Sequence, residues 1–240
     1  MSFSRRLLQN ISIGFLLVIQ LLPVVSAEVP LAAFEANYEL FYGKSRAADA
    51  QLSLAQAGDN WRWLLTTKPR GLASLLTSKN PYSETIFSRV DGKHRIQELI
   101  IADDAEKAKE VETAKFDWNS SQVETMRKEV TNKLPLTVDV YDNLSIHLFS
   151  AKMLDENLPQ ASVEFYYKGR VVKSELKQLD KTSITLNEKD IEVMVVEQSV
   201  QDSSTKYTYY YDPGTPIIPM KIVTGKPDKK ATSWFYVPTK

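Results

Sequence analysis

The chain has 240 residues, with 30 basic and 30 acidic side chains and no cysteine. A formally neutral protein has no strong overall field to attract polyanions, which argues against nucleic acid as a partner. Because disulfide bonds cannot form, the hydrophobic core alone has to stabilise the fold, which is feasible at this length.

The first residues have the pattern of a secretory signal peptide. Arg5 and Arg6 precede an apolar run over residues 11–22 and then Val25-Ser26-Ala27, an order typical of such signals. The run is shorter than the roughly 20 residues that cross a bilayer. We expect export by the general secretory route and cleavage after residue 27. One domain over 28–240 would remain, with 28 basic residues (30 − 2) against 30 acidic ones. These features predict a periplasmic location in a Gram-negative cell.

The exported region starts with a pattern typical of an antiparallel meander. Apolar and polar residues alternate over 34–42, over 48–54 and from Trp61 to Leu65, as in half-buried strands. Turn residues separate these runs at 43–46 and at 58–60. Three antiparallel strands are therefore predicted.

The middle of the chain is less regular. Leucines at helical spacing predict a short helix over 72–78, and strands are expected over 83–88 and 93–101. Residues 103–114 favour a helix by composition, yet they lie between strands and have few apolar residues to bury. A helix and an exposed hairpin both remain possible there. A strand over 116–118, a turn over 119–121 and a strand over 123–130 are predicted next.

One amphipathic helix is predicted near 142–154. Asp142 can accept hydrogen bonds from the first turn as a cap, and Ser145 can return one. The alternative role for these two residues is a polar contact at the mouth of a pocket. His147 falls at the polar edge of this helix. The apolar stripe that defines the helix consists of Leu144, Leu148, Ala151 and Leu154.

Short strands resume after Pro159, with turn residues between them. Such short connections favour antiparallel pairing, because parallel strands need long crossovers. The sequence therefore predicts a mainly antiparallel all-β fold, either a strongly curved sheet or an open or half barrel with one helix. The predicted strands cover 162–168, 170–176, 183–186, 191–198, 207–211, 220–224 and 233–237.

Four motifs, in this order and spacing, resemble a family of proteobacterial periplasmic proteins, domain of unknown function 3108. They are Tyr38-x-Leu40-x-Tyr42-Gly43, Phe116-Asp117-Trp118, Asp142-Asn143-Leu144-Ser145 and Pro219-Met220-Lys221-Ile222. The resemblance implies an exported all-β domain, an open or half-closed barrel like the periplasmic lipoprotein carriers. It also favours a hairpin over 103–114. It implies no reaction and assigns no functional residue.

Motifs of known chemistry are missing. His94 and His147 are far apart and have no carboxylate at ligand spacing, so neither a metal nor a cofactor is expected. The chain has no Gly-x-Ser-x-Gly elbow and no phosphate-binding glycine loop. The acidic clusters at 103–104 and 110–112 are typical of a solvated face. We therefore expect a protein that is not an enzyme.

Clustered aromatic residues give the strongest indication of a site. Tyr207, Tyr209 and Tyr211 share one face of a strand, with Tyr210 on the other. They could fill a curved sheet, or they could line a concave pocket for an acyl chain or a sugar. The candidate ligand-binding residues are Tyr207, Tyr209, Tyr211, Tyr167, Trp61, Trp63, Asp142 and Ser145.

Three functions follow from these observations. The first is a periplasmic binding or envelope-maintenance protein whose partner is a lipid, a lipidated protein or another amphipathic molecule. The second is a structural protein that docks on an envelope partner through strand edges, with a filled core and no ligand. The third is a glycan hydrolase, which needs two carboxyl groups roughly 5–10 Å apart beside a sugar cleft.

Overall fold

The computed structural model describes residues 31–77, 79–90, 93–104, 109–136, 138–227 and 229–238. The predicted signal peptide lies outside these residues. The strands are β1 (Phe34–Tyr42), β2 (Ser45–Ala57), β3 (Asn60–Pro69), β4 (Tyr82–Val90), β5 (Lys93–Asp104), β6 (Lys109–Asp117), β7 (Gln122–Arg127), β8 (Val130–Pro135), β9 (Val140–Tyr141), β10 (Gln160–Tyr167), β11 (Arg170–Leu186), β12 (Lys189–Val200), β13 (Lys206–Tyr211), β14 (Pro219–Gly225) and β15 (Thr232–Val237). The helices are α1 (Leu72–Leu76) and α2 (Ile146–Asp155).

The fifteen strands of the described residues belong to one sheet. Its order is β8-β7-β6-β5-β4-β3-β2-β1-β15-β14-β13-β12-β11-β10-β9. Every neighbouring pair is antiparallel except β9 and β10, which run parallel. The sheet does not close, because β8 and β9 stand at its two ends. The predicted all-β, mainly antiparallel open barrel is confirmed.

Tight turns keep consecutive strands side by side. Between β10 and β11, Lys168 and Gly169 have φ angles of 52° and 79°, the left-handed pair that matches the twist of a two-residue hairpin. The same turn brings distant parts of the sheet together. The backbone N–H of Gly169 donates to Oε1 of Glu112 on β6 at 2.8 Å, and its carbonyl accepts from Thr125 Oγ1 on β7 at 3.2 Å.

Helix α2 lies inside the curved sheet. Seven of its ten residues are buried. Ile146, Met153 and Leu154 belong to a cluster with residues of β10–β13, whereas Leu148 packs with residues of β1–β4. The core therefore consists of the side chains on the concave face of the sheet and the helix that they surround.

Several segments differ in detail from the sequence expectations. Residues 103–104 and 109–114 belong to the paired strands β5 and β6, which confirms the hairpin; residues 105–108 lie outside the described chain. The strand predicted over 123–130 is two strands, β7 and β8. Those predicted over 170–176 and 183–186 form one continuous strand, β11, because a bulge between Leu179 and Thr182 lets it bend without ending. Among the described residues, no helix is long and apolar enough to span a bilayer.

Candidate ligand cavity

A cavity of about 180 Å³ lies on the concave face of the sheet. Its walls come from β1–β4 on one side and β13–β15 on the other, with α2 and the turn before it between them. Most of the wall is apolar, because inward positions of these strands and of the turn before α2 carry large hydrophobic side chains. These are Tyr38, Leu52, Leu65, Leu144, Ile222 and Trp234.

Two tyrosines of β13 border this cavity. The rings of Tyr207 and Tyr209 are stacked, with centroids 6.4 Å apart and planes at 10°. Tyr209 donates its hydroxyl proton to Oε1 of Gln198 at 2.6 Å. Since its polar tip is satisfied within the core, its ring is free to contact an apolar ligand. Burial raises the pKa of Tyr207 to about 12, so its ring stays neutral.

A second cavity of about 230 Å³ adjoins the first. The two share Ser83, Asn143, Leu144 and Tyr207. The second is more polar, since it is also bordered by Glu112, Asp142, Tyr166, Tyr167 and Lys168. Together the cavities form one groove with an apolar part and a polar part.

Both carboxyl groups that border the second cavity already accept hydrogen bonds from other residues of the protein. Glu112 accepts a hydrogen bond from Arg127 Nε at 2.8 Å, besides the one from Gly169. Asp142 Oδ1 accepts from the backbone N–H of Ser145 at 2.7 Å, and Asp142 Oδ2 accepts from the hydroxyl of Thr85. Burial raises the pKa of Asp142, although hydrogen bonds from Ser145 and Thr85 oppose this. Neither carboxyl group is arranged as a free acid or base.

Asp142 and Ser145 form a reciprocal pair in the turn that precedes α2. Besides the bond to Asp142 Oδ1, Ser145 Oγ accepts from the backbone N–H of Asp142 at 2.9 Å. The carbonyl of Asp142 accepts from the N–H of Ile146 at 3.0 Å. The pair has the reciprocal bonding of a capping box, but it lies in the turn before α2: the helix begins at Ile146, and its N-cap residue Ser145 makes no side-chain capping bond.

His147 is buried, and its predicted place at the polar edge of the helix is wrong. Its ring lies in the core, with Nδ1 2.8 Å from the hydroxyl oxygen of Tyr211. Burial lowers its pKa to about 3, so the imidazole is neutral at physiological pH. The helix-face argument failed because the sheet surrounds α2 and leaves it no solvated side there.

His94 on β5 is likewise buried. Its ring stacks on Tyr141 at 5.3 Å and contacts Phe87 at 4.4 Å. Burial, with a contribution from the charge of Arg89, lowers its pKa to about 3. Within the described chain, no group of histidine and carboxylate residues is placed to hold a metal ion.

The structure separates the eight predicted site residues into two groups. Tyr207, Tyr209, Tyr167 and Asp142 border one or both cavities. Four others line neither of these cavities: Tyr211, Trp63 and Ser145 are fully buried, and Trp61 is partly buried against the core. The sequence reasoning missed Ser83, Asn143, Thr224 and Trp234. A small polar residue at an inward position of a strand, such as Ser83 or Thr224, would have indicated a cavity in the sequence.

These features define a class of protein: an open, β-barrel-like domain with an interior helix and a cavity on its concave face. The chain belongs to the family described as "Protein of unknown function (DUF3108)", whose model matches residues 37–225. No curated protein matches the chain. A crystal structure of a beta-barrel-like protein of domain of unknown function DUF1849 from Brucella abortus is similar, with a TM-score of 0.55 and 11% identity over 87% of this chain and 97% of that one. At this identity the likeness concerns the fold alone.

Proposed function

We propose that this protein is an exported, non-catalytic binding protein of the cell envelope that holds an amphipathic molecule in its concave cavity. This proposal rests mainly on the apolar cavity of about 180 Å³ between β1–β4, β13–β15 and α2. Apolar cavities of about 150 Å³ can take a molecule the size of benzene. The cavity therefore suits a ring or a short alkyl segment, and the adjoining polar cavity suits a polar group attached to it.

The envelope location rests on the signal-peptide pattern over residues 1–27. An apolar molecule that has to cross an aqueous compartment needs a protein that hides it from water, because exposed apolar surface costs about 25 cal/mol per Å². A curved sheet with an interior cavity meets that need.

The proposal is tested by filling the cavity. Thr224→Phe places a ring into it, while Val223→Phe puts the same ring on the opposite face of β14 and is the matched control. Protein purified from its own periplasm is examined by native mass spectrometry, and the extracted protein is then titrated with decyl maltoside. We expect a co-purifying small molecule and decyl maltoside binding in wild type and Val223→Phe, and neither in Thr224→Phe. If wild type carries nothing and binds no decyl maltoside, the proposal is wrong.

The second candidate, an interaction protein, is favoured by one observation at the sheet edge. Strand β8 pairs only with β7 among the described strands, and Val130 at its start is 59% exposed. An exposed edge can take up a strand from a partner. If this were the function, Val130→Lys would abolish complementation of a deletion strain while Thr224→Phe would not. The cavity proposal expects the reverse.

A glycan hydrolase is the least supported of the three functions. Glu112 and Asp142 do border one cavity. However, their oxygens already accept hydrogen bonds from Arg127, Gly169, Thr85 and Ser145. A catalytic carboxyl pair needs oxygens that can reach substrate or water.

A further inference from the structure

The two ends of the barrel carry opposite charge. We call "mouth" the end at which β1, β3, β5, β7, β9, β10, β12 and β14 finish, and "base" the opposite end. In the described connections at the mouth, eight cations outnumber three anions, which are Glu129, Asp202 and the buried Asp142. The cations are Lys44, Arg70, Lys79, Lys128, Lys168, Lys226, Lys229 and Lys230.

The base has the reverse character. Its described connections contain no lysine or arginine, and five anions lie there: Asp59, Asp139, Glu156, Glu188 and Asp212. The composition does not reveal this separation of charge, because the positive charge at the mouth and the negative charge at the base offset each other in the formally neutral total. Clustered charge of one sign around a cleft attracts ligands of the opposite sign.

The cavities lie at the basic end. Ser83 and Tyr207, which both cavities share, are the second residues of β4 and β13, and Thr224 is the last but one of β14. Each of these positions is within two residues of the mouth. A ligand in the groove therefore has its outer part among the mouth cations.

One of these cations, Lys168, borders the groove, and a second, Lys226, follows β14 two residues after the cavity residue Thr224. Lys168 borders the second cavity, and its Nζ lies 4.7 Å from the centroid of the Tyr167 ring. Neither Lys168 nor Lys226 forms an ion pair with a described residue, in contrast to Arg70 and Lys79, which pair with Asp49 and Asp103.

The pKa of Tyr167, whose ring contacts Lys168, is affected by the charges of both lysines. Burial opposes ionisation of Tyr167. Nevertheless, hydrogen bonds from Ser203 and Lys168 and the charges of Lys168 and Lys226 together lower its pKa. Both carboxyl groups in the polar part of the groove are already bound within the protein: Glu112 pairs with Arg127, and Asp142 accepts hydrogen bonds from Ser145 and Thr85. The charge of Lys168 is therefore left for an anionic ligand.

We propose that the ligand of the groove is an amphiphile with an anionic head group, phosphate or carboxylate, whose head lies beside Lys168 and Lys226 while its apolar part passes Tyr207 into the inner cavity. This proposal rests on the proposed function. It adds the head-group chemistry and the orientation of the ligand.

Ligands that share one tail and differ in the head test this directly. Decyl phosphate, decanoate, decyl maltoside and decyltrimethylammonium are titrated into the full exported chain by calorimetry, below their micelle concentrations and at low salt. The expected order is decyl phosphate and decanoate about tenfold tighter than decyl maltoside, with decyltrimethylammonium weakest. Added salt should reduce this preference. Comparing decyl phosphate with decanoate shows which anionic head group binds more tightly. Inorganic phosphate alone should not compete.

The variant Lys168→Gln/Lys226→Gln should lose the preference, whereas Lys168→Arg should keep it. Lys177→Gln/Lys189→Gln removes the same charge from exposed positions of β11 and β12 away from the mouth and is the control. Equal binding of all four heads, or competition by inorganic phosphate, would overturn the anionic-amphiphile proposal and leave the cavity function standing. Failure of every alkyl probe would overturn the proposed function itself.

Discussion

His147 and Tyr211 join the interior helix to the sheet by a hydrogen bond of 2.8 Å between Nδ1 and the hydroxyl oxygen. Both side chains are fully buried, so water does not compete for either group. The ring of His147 also contacts Tyr209 at 5.1 Å and Trp63 at 6.3 Å. Because His147 also lines the first cavity, this contact fixes part of the cavity wall to the core.

Loss of this bond should destabilise the protein. Tyr211→Phe removes the hydroxyl and leaves Nδ1 of His147 without its partner, so we expect a decrease of about 1–2 kcal/mol in the free energy of unfolding by urea. Tyr210→Phe is the matched control on the opposite face of β13, with an expected change of less than about 0.5 kcal/mol. Equal effects of the two substitutions would contradict the role assigned to the bond.

Stability should fall in mild acid because of the buried histidines. Burial lowers the pKa of His94 to about 3, against about 6.5 in the unfolded chain. Between these values the unfolded state binds more protons, so the free energy of unfolding decreases as the pH falls from about 6.5 towards 3. The free energy of unfolding is measured by urea unfolding at pH 7.5 and at pH 5. Between these pH values it should fall less in His94→Leu than in wild type.

The same variant has a second expected effect at pH 7.5. Neither ring nitrogen of His94 has a hydrogen-bond partner among the described residues, and an unsatisfied buried polar group costs about 1–3 kcal/mol. His94→Leu should therefore be at least as stable as wild type there. If the free energy of unfolding falls equally between pH 7.5 and pH 5 in wild type and variant, His94 does not cause the decrease.

The capping pair before α2 should be more costly to remove than an ordinary cap. Loss of a helix cap costs about 1 kcal/mol. Asp142→Ala also leaves the buried donors of Thr85 and Ser145 without an acceptor, so we expect about 2–4 kcal/mol in urea unfolding.

Asp142→Asn keeps one acceptor oxygen and should cost less than the alanine variant. Thr85→Val combined with Asp142→Ala gives a double-mutant cycle, in which the two losses should be clearly non-additive. If Asp142→Ala keeps wild-type stability but no longer binds decyl phosphate, Asp142 is a ligand contact and not a cap.

Most strands could be predicted from the sequence because they have one buried face, whereas β8, which is mostly exposed, was not predicted as a separate strand. Alternation over 34–42 and 48–54 placed β1 and β2, and the shared face of Tyr207, Tyr209 and Tyr211 was correct. A strand's period shows which residues point inward but not how deep they lie. Tyr207 borders the cavity, while Tyr211, four residues further along, is sealed in the core.

The cavity itself could not be predicted in this way. It joins residues as distant in sequence as Tyr38 and Trp234, and the curvature that brings strands around α2 depends on packing across the whole sheet. The burial of His147 was missed for the same reason, since helical periodicity assumes a solvated side. The charge division between mouth and base also depends on the strand order, because only the fold shows which connections share an end.

Photocrosslinking tests the central claim, that the concave cavity holds the apolar part of a ligand, most directly. A decyl phosphate analogue with a diazirine at the tail end is bound to the exported chain, irradiated, and the labelled residues are identified by mass spectrometry. Labels are expected on inward residues of β2, β3 and β14, above all Leu52, Leu65 and Ile222, and they should be lost in Thr224→Phe but not in Val223→Phe. Labels confined to exposed apolar residues such as Val130 and Leu179, unchanged by Thr224→Phe, would contradict it.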